Sequence, residues 1–525
     1  MLAIKRPGKY LQYSIPALIS TFLHLFTVEY FIGLELLRPI LLWLALKKDR
    51  GGASTNLLRD TLRTWLPYLL ATIFFIYWRS KILVGPGIRH DPLEMFLDSG
   101  GIFITTIQNV AADLALMLVS TWFELIRPEL FVIGPIRNLY FWVITLSGAA
   151  TFFLLSKAGS QDGDGSTSNV KGRIFLGVYT IAIGMIAPYA GGYIVHLKLA
   201  PWNGRFALPA LFGLALASAG GIELIVTDKK VRHAIISIMV GLLVGLHNYN
   251  TLEFKSAWEK QERFYQQLIW RAPMMKVGTS IITGEEVMSY MGDYPTSFGI
   301  NVVYGAKPKE GKSPPYWFFA LSENFKGSAE AVTSSAQLEA SKPPIFFHGN
   351  SMDAIYITYE PGMMQCLWVL RAVDAEYKYL PAEMKKATLV SSYGNVQRTV
   401  NTDYHLYRQI VDEDKNTWCY HYEKADLARQ YGDWNTVLRL WEEAQQHGYR
   451  PGNGFEYLPF IEAYIRMGDW ENAFRLTKTA NKITEAMYFV LCPTWERLAG
   501  ETPPNAQKDL YLPKAYDLLR CVPQN

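Results

Sequence analysis

The sequence predicts a polytopic α-helical membrane domain over residues 1–250, followed by an extracytoplasmic α/β domain over 251–402 and a helical region over 403–525. Charge distribution is the first observation behind this prediction. Residues 1–250 carry 22 Lys and Arg against 14 Asp and Glu, whereas residues 251–525 carry 29 against 33. The second observation is that long apolar runs, which are typical of membrane spans, occur in the first half.

Overall composition excludes two function classes. Half of the 525 residues are hydrophobic and only 19% are charged. A disordered or nucleic-acid-binding chain would carry more charge and fewer apolar residues over most of its length. The expected surroundings are therefore a lipid bilayer for the first half and water for the second, and no nucleic-acid partner is predicted.

Seven apolar segments are predicted to cross the membrane. Segments 174–195 and 206–222 contain no charged residue and come closest to the roughly 20 apolar residues that a bilayer core requires. The other five have Lys, Arg or His near their ends, where long side chains can reach the interface. They are segments 13–28, 30–46, 62–78, 138–156 and 233–248.

Residues 99–124 are ambiguous, because Gln108, Asn109 and Asp113 interrupt an otherwise apolar pattern. Lys and Arg in short loops favour the cytoplasmic side of a membrane. With the N-terminus cytoplasmic and 99–124 interfacial or re-entrant, the cytoplasmic loops hold about twice as many Lys and Arg residues as the outer loops. This arrangement predicts a multi-pass protein of the cell membrane whose C-terminal half is extracytoplasmic.

Beyond residue 250, short β-rich runs alternate with Gly and Pro. Helical patterns around 251–270 and 285–292 lie between them, which favours a small α/β layer over an all-β sandwich. Residues 322–342, rich in Ser, Ala, Lys and Glu, predict a flexible insertion. The predicted strands are TSIITG (279–284), INVVYG (300–305), YWFFAL (316–321), PIFFHG (344–349), AIYITYEP (354–361) and QCLWVLR (365–371).

From about Asp403 the pattern becomes helical, and the tripeptide GDW occurs at 432–434 and again at 468–470, a spacing of 36 residues. An apolar helix precedes and another follows each copy. Residues 415–485 thereby resemble the tetratricopeptide repeat, whose period is about 34 residues. Two units are fewer than the three or so that a free-standing array needs. Two alternatives follow: the hairpins pack on the α/β layer, or they form a groove for a protein partner.

A search for catalytic motifs gives mainly exclusions. Residues 305–313 (GAKPKEGKS) approach a phosphate-binding loop, but five residues separate the glycines and Pro314 and Pro315 prevent the helix that should follow. The four cysteines form no CxxC pair, and no HExxH occurs, so no metal or other cofactor is predicted, although a divalent metal stays compatible with the sequence. In an extracytoplasmic half, Cys492 and Cys521 are either disulfide-bonded or free buried thiols.

Ionisable residues at membrane depth are costly to bury and are therefore candidate functional residues. They are His24, Glu29, Glu35, Arg38, Asp113 and Glu223. Glu35 and Arg38, three positions apart, can form an ion pair on a helix. One interpretation is a structural ion pair. The other is a catalytic site in which Glu29 or Glu35 acts as general base while Arg38 and His24 bind a lipid-linked phosphate.

The stretches EYFIGLELLRPILLWLAL (29–46) and TWLPYLLATIFFIYWR (64–79) resemble later membrane helices of bacterial GT-C-type glycosyltransferases. The segment 261–287 and the repeat-like end are similar to the outer domain of large bacterial membrane proteins of that group. The resemblance implies sugar transfer from a polyprenyl-phosphate donor on the outer face of the membrane.

The sequence departs from the GT-C pattern in one respect. In that group the essential acid lies in the first outer loop, ahead of many further spans, whereas here that loop is short and offers only Glu29. Either another polypeptide carries the catalytic spans, or the resemblance concerns the scaffold alone. Two functions are therefore expected: a glycosyltransferase or the accessory half of one, and a non-enzymatic membrane-anchored assembly protein that binds partners through residues 415–485.

Overall fold

The computed structural model of the chain describes residues 4, 7–49, 56–82, 100–126, 135–158, 168–190, 203–305, 313–342, 345–360, 365–398 and 414–521. The chain divides into two compact units, Met1–Leu252 and Glu253–Asn525. This boundary lies two residues from the predicted end of the membrane domain. The predicted regions 251–402 and 403–525 lie together in the second unit.

Every described element of the first unit is a helix or a helical turn. A 3-10 helix, Glu29–Leu36, separates α1 from α2, and a π-helical turn, Leu116–Ser120, follows α4. The last helix, α8, passes from the first unit into the second. The helices are α1 (Tyr10–Thr27), α2 (Arg38–Asp49), α3 (Leu57–Ile82), α4 (Gly100–Ala115), α5 (Pro135–Ala158), α6 (Ser168–Ala190), α7 (Leu208–Ile225) and α8 (Lys229–Arg271).

Four helical segments of the described residues are long and apolar enough to cross a membrane: Tyr140–Lys157, Val170–Tyr189, Gly204–Ile225 and a window within α8. They correspond to the predicted spans 138–156, 174–195, 206–222 and 233–248, although residues 191–195 lie outside the described part of the chain. The predicted spans 13–28 and 62–78 fall on α1 and α3, and 99–124 falls largely on α4 and the turns after it. That these segments cross the membrane stays a prediction.

Segment 30–46 is not one continuous helix as predicted for a span. It is divided between the 3-10 helix and α2. Gly33 explains the close packing of the 3-10 helix on α6, because a Cβ atom at this position would lie only 1.9 Å from the carbonyl oxygen of Ile183. Helices α6 and α7 approach each other in the same way, since a Cβ on Gly177 would lie 2.7 Å from the carbonyl oxygen of Gly213. Small residues are what allow membrane helices to pack this tightly.

The second unit contains a four-stranded sheet in the order β3-β2-β6-β7, in which β7 is antiparallel to β6 and the other pairs are parallel. Its strands are β2 (Ser280–Thr283), β3 (Trp317–Ala320), β6 (Ile355–Thr358) and β7 (Trp368–Val369). Two separate pairs are antiparallel: β1 (Met274–Met275) with β8 (Val396–Gln397), and β4 (Gln337–Lys342) with β5 (Ile345–Asn350). A small α/β layer is therefore present, as predicted.

Five of the six predicted strands contribute to β2, β3, β5, β6 and β7, but the strand predicted at 300–305 is wrong. This sequence ends helix α9 (Asp293–Val303). The helix predicted at 285–292 is wrong as well, because these residues form bends and turns and α9 begins only after them. The side chain of Asn301 on α9 replaces a strand partner: its Oδ1 accepts from Tyr316 N at 3.1 Å and its Nδ2 donates to Tyr316 O at 2.8 Å. Tertiary contacts thus override the β propensity of a short run.

The flexible insertion predicted at 322–342 is also wrong. Two short helices, α10 (Leu321–Asn324) and α11 (Glu330–Thr333), are followed by strand β4. Packing within the segment is anchored at Ala329, which is fully buried and whose backbone N–H donates to Glu383 at 2.8 Å. Glu383 lies in the first turn of the short helix α12 (Ala382–Thr388).

Six helices complete the second unit, and consecutive helices pack in pairs. They are α13 (Trp418–Gln430), α14 (Trp434–Gln446), α15 (Leu458–Arg466), α16 (Trp470–Ile483), α17 (Tyr488–Glu501) and α18 (Ala506–Leu519). The third pair, α17 with α18, lies beyond the predicted repeat region 415–485. It lacks a GDW sequence, and Asn505 begins α18 by accepting from Gln507 N at 2.8 Å.

The two GDW sequences form the turns within the first two pairs. Gly432 and Gly468 have φ angles of +70° and +81°, a left-handed conformation that ends the preceding helix. The following aspartates cap the next helix, Asp433 accepting from Thr436 N at 3.2 Å and Asp469 from Asn472 N at 3.1 Å.

One hydrophobic core joins the sheet to these helices. Trp317 and Trp368 from the strands belong to the same buried cluster as Trp441, Trp470 and Trp495 from the helices. Helices α13 and α15 are buried over most of their length. This agrees with the alternative that the helical pairs pack on the α/β layer of their own chain.

Candidate functional site

The Glu35 carboxylate and the Arg38 guanidinium form a two-point ion pair in the first unit. Arg38 Nε donates to Glu35 Oε2 at 2.6 Å, and Nη2 donates to Oε1 at 2.8 Å. The same Nη2 donates to Thr21 Oγ1 at 3.1 Å, and the guanidinium lies 4.2 Å from the ring centroid of Tyr68. Both carboxylate oxygens of Glu35 are thus engaged, and its side chain is only 8% exposed. This geometry is typical of a structural ion pair.

Glu29 forms a separate ion pair. Its Oε2 accepts from Arg79 Nε on α3 at 2.5 Å and its Oε1 accepts from Arg79 Nη2 at 3.4 Å, while its side chain remains 52% exposed. His24 packs edge-on against Phe31, with 5.7 Å between the ring centroids. The structure therefore brings Glu35 and Arg38 together but does not gather all four predicted site residues around one point.

The other two membrane-depth carboxylates also have partners. Asp113 is fully buried and its Oδ2 accepts from the Tyr189 hydroxyl at 3.2 Å. Glu223 accepts from Arg173 Nη2 at 2.5 Å and lies 3.7 Å from Arg232 Nη1. Pairing of this kind lowers the cost of placing charges at membrane depth.

The second unit holds a buried ionic network that the sequence did not predict. Arg271, the last residue of α8, donates through Nε to Asp426 Oδ2 on α13 at 2.5 Å, and both side chains are almost completely buried. Asp426 also pairs with Arg429, whose Nη1 lies 3.9 Å from Glu462 on α15. Burial alone would raise the pKa of Asp426, but Arg429 and Arg271 outweigh it and lower the pKa below its ordinary value.

The network continues along the helices. Glu462 accepts from Arg497 Nη2 on α17 at 3.1 Å and lies 3.7 Å from Arg371 Nη1. Arg371 also pairs with Asp374 at 3.1 Å. Successive helical pairs are therefore tied to each other and to the segment after β7 by alternating charges.

Glu456 is a further buried carboxylate, and it accepts hydrogen bonds from three N–H groups. The donors are Cys366 N at 2.7 Å, Trp368 Nε1 at 3.3 Å and Trp418 Nε1 at 2.6 Å. Burial raises the pKa of Glu456 to about 7, although these three donors act in the opposite direction. Burial likewise raises the pKa of neighbouring Glu423 well above its ordinary value, and the opposing effect of Arg271 is smaller.

All four cysteines are disulfide-bonded. Cys492 pairs with Cys521, which decides between the two alternatives left open by the sequence. Cys366 pairs with Cys419 and so joins the segment before β7 to α13, beside the donors to Glu456. Sequence spacing could not reveal this second pair, because 53 residues separate its members.

A cavity of about 500 Å³ lies beside β4. It is bounded by the aromatic residues Trp317, Phe319 and Phe325 on one side and by the whole of β4 on the other. Asp293 and Asn324 complete its wall, and Asn324 Nδ2 donates to Asp293 Oδ2 at 3.2 Å. Its volume falls within the range of ligand-binding pockets, about 300–1,000 Å³.

The sequence contained one usable signal for the ionic network. Glu423, Asp426 and Arg429 are spaced three apart on a predicted helix and so share a face. Both flanks of that face also carry apolar residues, which indicates that the charges are buried and need partners. The cavity gave no such signal, because β4 lies in the segment predicted to be flexible.

Among the described residues, no group of three or more His, Cys, Asp or Glu side chains has the arrangement of a metal site. Comparison with known proteins gave no match: no family model, no curated protein and no solved structure is similar enough to indicate a family for this chain.

Proposed function

We propose that this protein is a membrane-anchored assembly protein whose second unit binds a partner outside the cytoplasm. The observation that carries the proposal is that both disulfides lie in the second unit, which follows four helices able to cross a membrane. Disulfides persist in oxidising compartments and are rare in the cytoplasm. A second unit on the outer face of a cell membrane fits this chemistry and the excess of positive charge in the predicted cytoplasmic loops.

The state of Glu35, one of the two predicted catalytic residues, supports a non-enzymatic role, as does that of Asp113 among the other membrane-depth candidates. A general base needs a carboxylate oxygen that can approach the proton it removes. Both oxygens of Glu35 are engaged by Arg38, and Asp113 is fully buried against Tyr189. These contacts favour a structural role for the charges of the first unit.

The helical pairs of the second unit supply an assembly surface in this proposal. We interpret α13–α18 as three tetratricopeptide-like hairpins, because the first two share the GDW turn at a spacing of 36 residues and the third repeats the two-helix pattern. The α/β layer packs against α13 and α15, so the binding surface lies on other faces of the unit. Exposed apolar residues of the helical pairs include Met467, directly after α15, at 50% exposure and Leu510 on α18 at 52%.

Site-specific photo-crosslinking in intact cells tests this proposal. A photoreactive amino acid at Met467 or Leu510 is expected to give an adduct with one and the same protein. The adduct should persist in Glu29→Gln and Glu35→Gln variants, because those residues are not part of the binding surface. Adducts that differ between the two positions, or no adduct from either, would contradict the proposal.

Glycosyl transfer is the second candidate, and the exposure of Glu29 is what favours it. With a side chain that is 52% exposed, Glu29 is the predicted catalytic residue better able to reach a substrate. Under this alternative Glu29 would act as general base, taking the proton of an acceptor hydroxyl that attacks the anomeric carbon of the donor sugar and displaces polyprenyl phosphate. Transfer by the purified wild-type chain that Glu29→Gln abolishes and Glu35→Gln largely retains would support it. Equal transfer by both variants would remove Glu29 from the mechanism.

A further inference from the structure

Strand β4 has one edge paired and the other open. Its only strand partner among the described residues is β5, in the register that places Gln337 opposite Asn350 and Leu338 opposite Gly349. Ser351 N donates to Ala336 O at 3.0 Å, which fixes the hydrogen-bonded positions of the ladder. Because these positions alternate, the backbone groups of Gln337, Glu339 and Ser341 point away from β5.

The outer edge of β3 borders the same cavity, but side chains cover its backbone N–H groups. Phe318 N donates to Ser297 Oγ at 2.9 Å, and Ala320 N donates to Asn324 Oδ1 at 2.9 Å. Side chains thus occupy the outward N–H groups of β3, as natural proteins commonly do to prevent edge pairing. No hydrogen bond of this kind covers the outer edge of β4 in the described part of the chain.

The open edge and the cavity coincide, since all six residues of β4 line it. We infer that an extended polypeptide segment of a partner protein adds to the outer edge of β4 and fills this cavity. Main-chain hydrogen bonds to an exposed strand edge supply affinity in such complexes, and pockets for alternate side chains supply specificity. The inference rests on the proposed function and names the surface and the partner chemistry.

The walls of the cavity define that chemistry. Leu338 and Ala340 lie on one face of β4, near Phe319 and Phe325, so the partner residues beside them should be apolar. On the other face, Glu339 is exposed and lies 3.4 Å from His348. Asp293 also lines the cavity. Lys342, the basic residue of the lining, already has its ammonium over the Tyr294 ring at 4.5 Å.

Acidic groups also concentrate around Asp293. The pKa of Glu286 is raised by burial and further by the nearby Glu323 and Asp293. The expected partner segment therefore alternates apolar with basic residues, because the strand period of two directs one set toward Leu338 and the aromatic wall and the other toward the exposed Glu339. The carboxylates around Asp293 add to the negative potential at the cavity.

The test uses the full-length chain in detergent and a fluorescent heptapeptide of alternating lysine and valine, with binding followed by anisotropy. The same peptide with alternate backbone nitrogens methylated cannot pair with a strand edge, and a peptide of alternating glutamate and valine has the opposite charge. Ser341→Pro removes an outward N–H of β4 without touching the ladder to β5, and Ser341→Ala is its matched control.

We expect the lysine peptide to bind, Ser341→Pro to weaken binding by about tenfold, and Ser341→Ala to bind as wild type does. Glu339→Gln should weaken binding less than Ser341→Pro. An unchanged unfolding midpoint of Ser341→Pro establishes that the unit remains folded.

Several results would overturn the inference. The methylated peptide or the glutamate peptide could bind as tightly as the lysine peptide does. The Ser341→Pro variant could bind the lysine peptide as tightly as wild type does, or the lysine peptide could fail to bind below about 1 mM. Dimerisation of the wild-type chain that Ser341→Pro abolishes would identify a second copy, not a separate partner, as the occupant. If the lysine peptide does not bind although the second unit is extracytoplasmic, only the proposed role of the β4 edge is refuted. If the second unit is cytoplasmic, the proposed function itself is refuted.

Discussion

Arg271 and Asp426, which are 155 positions apart in the sequence, form a buried ion pair with 2.5 Å between Nε and Oδ2. Arg271 ends the helix that enters the second unit, and Asp426 lies on the first helix of the repeat-like region. The pair therefore ties together two parts of the chain that were predicted as separate domains.

Breaking this pair should strongly destabilise the second unit. Arg271→Met leaves Asp426 buried with one cation fewer, and loss of one partner of a buried pair costs about 3–5 kcal/mol. We expect a matching fall in the free energy of unfolding, measured by tryptophan fluorescence in urea. Arg439→Met, which breaks the exposed pair with Glu443, is the control and should change little.

If Arg271→Met lowered the free energy of unfolding as little as the Arg439→Met control does, a stabilising role for the Arg271 pair would be contradicted.

The buried carboxyl of Glu456 predicts a pH dependence of stability. Its pKa is about 7 in the folded chain against an ordinary 4.5, so between these values the folded state binds more protons than the unfolded state. Stability should therefore be greatest at the acidic end of this window and fall as the pH rises toward about 7. At roughly 1.4 kcal/mol per pKa unit, the loss is about 3 kcal/mol.

Urea midpoints measured from pH 5 to pH 8 check this prediction. Glu456→Gln should flatten the slope, and the raised pKa of Glu423 should leave a residual slope of the same sign. The exposed Glu442→Gln should leave the slope unchanged. Stability that rises with pH across this window would be inconsistent with the environment of Glu456.

The disulfides should contribute to the stability of the second unit. The cross-links Cys366–Cys419 and Cys492–Cys521 span 53 and 29 residues. Loop-closure entropy for lengths of this order corresponds to about 4 kcal/mol for each. Cys419→Ser and Cys521→Ser should each lower the free energy of unfolding. Alkylation under non-reducing conditions, followed by mass spectrometry, identifies the thiol that each substitution releases. Alkylation of all four cysteines in the unreduced wild-type chain would refute the pairing.

Close packing of α6 on α7 makes Gly177 sensitive to substitution. A Cβ at this position would lie 2.7 Å from the backbone of both Gly213 and Ala217, so Gly177→Ala should lower the thermal midpoint of the detergent-solubilised chain. Gly172 on the same helix has no atom within 4 Å of such a Cβ, and Gly172→Ala should leave the midpoint unchanged or slightly higher. Equal effects of the two substitutions would show that the close approach is unimportant.

The sequence predicted the fold where the local pattern was decisive. Charge-free apolar runs indicated the helices at 174–195 and 206–222, and alternating Ile and Tyr residues indicated β6. It failed at 300–305, because the hydrogen bonds between Asn301 and Tyr316 depend on a residue 15 positions away. It also failed at β4, because the polar composition of this segment did not indicate a strand, and β4 pairs along only one edge.

The candidate site was predictable only in part. The i, i+3 spacing of Glu35 and Arg38 correctly indicated their ion pair. The partner of Glu29 is Arg79, 50 positions away, and no spacing rule connects them. The buried network and the Cys366–Cys419 disulfide depend on similarly distant contacts, which arise only when the helical pairs pack on the α/β layer.

The location of the second unit is the central claim, and a fusion after Asn525 tests it most directly. Alkaline phosphatase, which needs an oxidising compartment to fold, should be active in this fusion, and a green fluorescent protein that folds only in the cytoplasm should be dark. Fluorescence together with an inactive phosphatase would place the disulfide-bonded unit in the cytoplasm and contradict the proposed function.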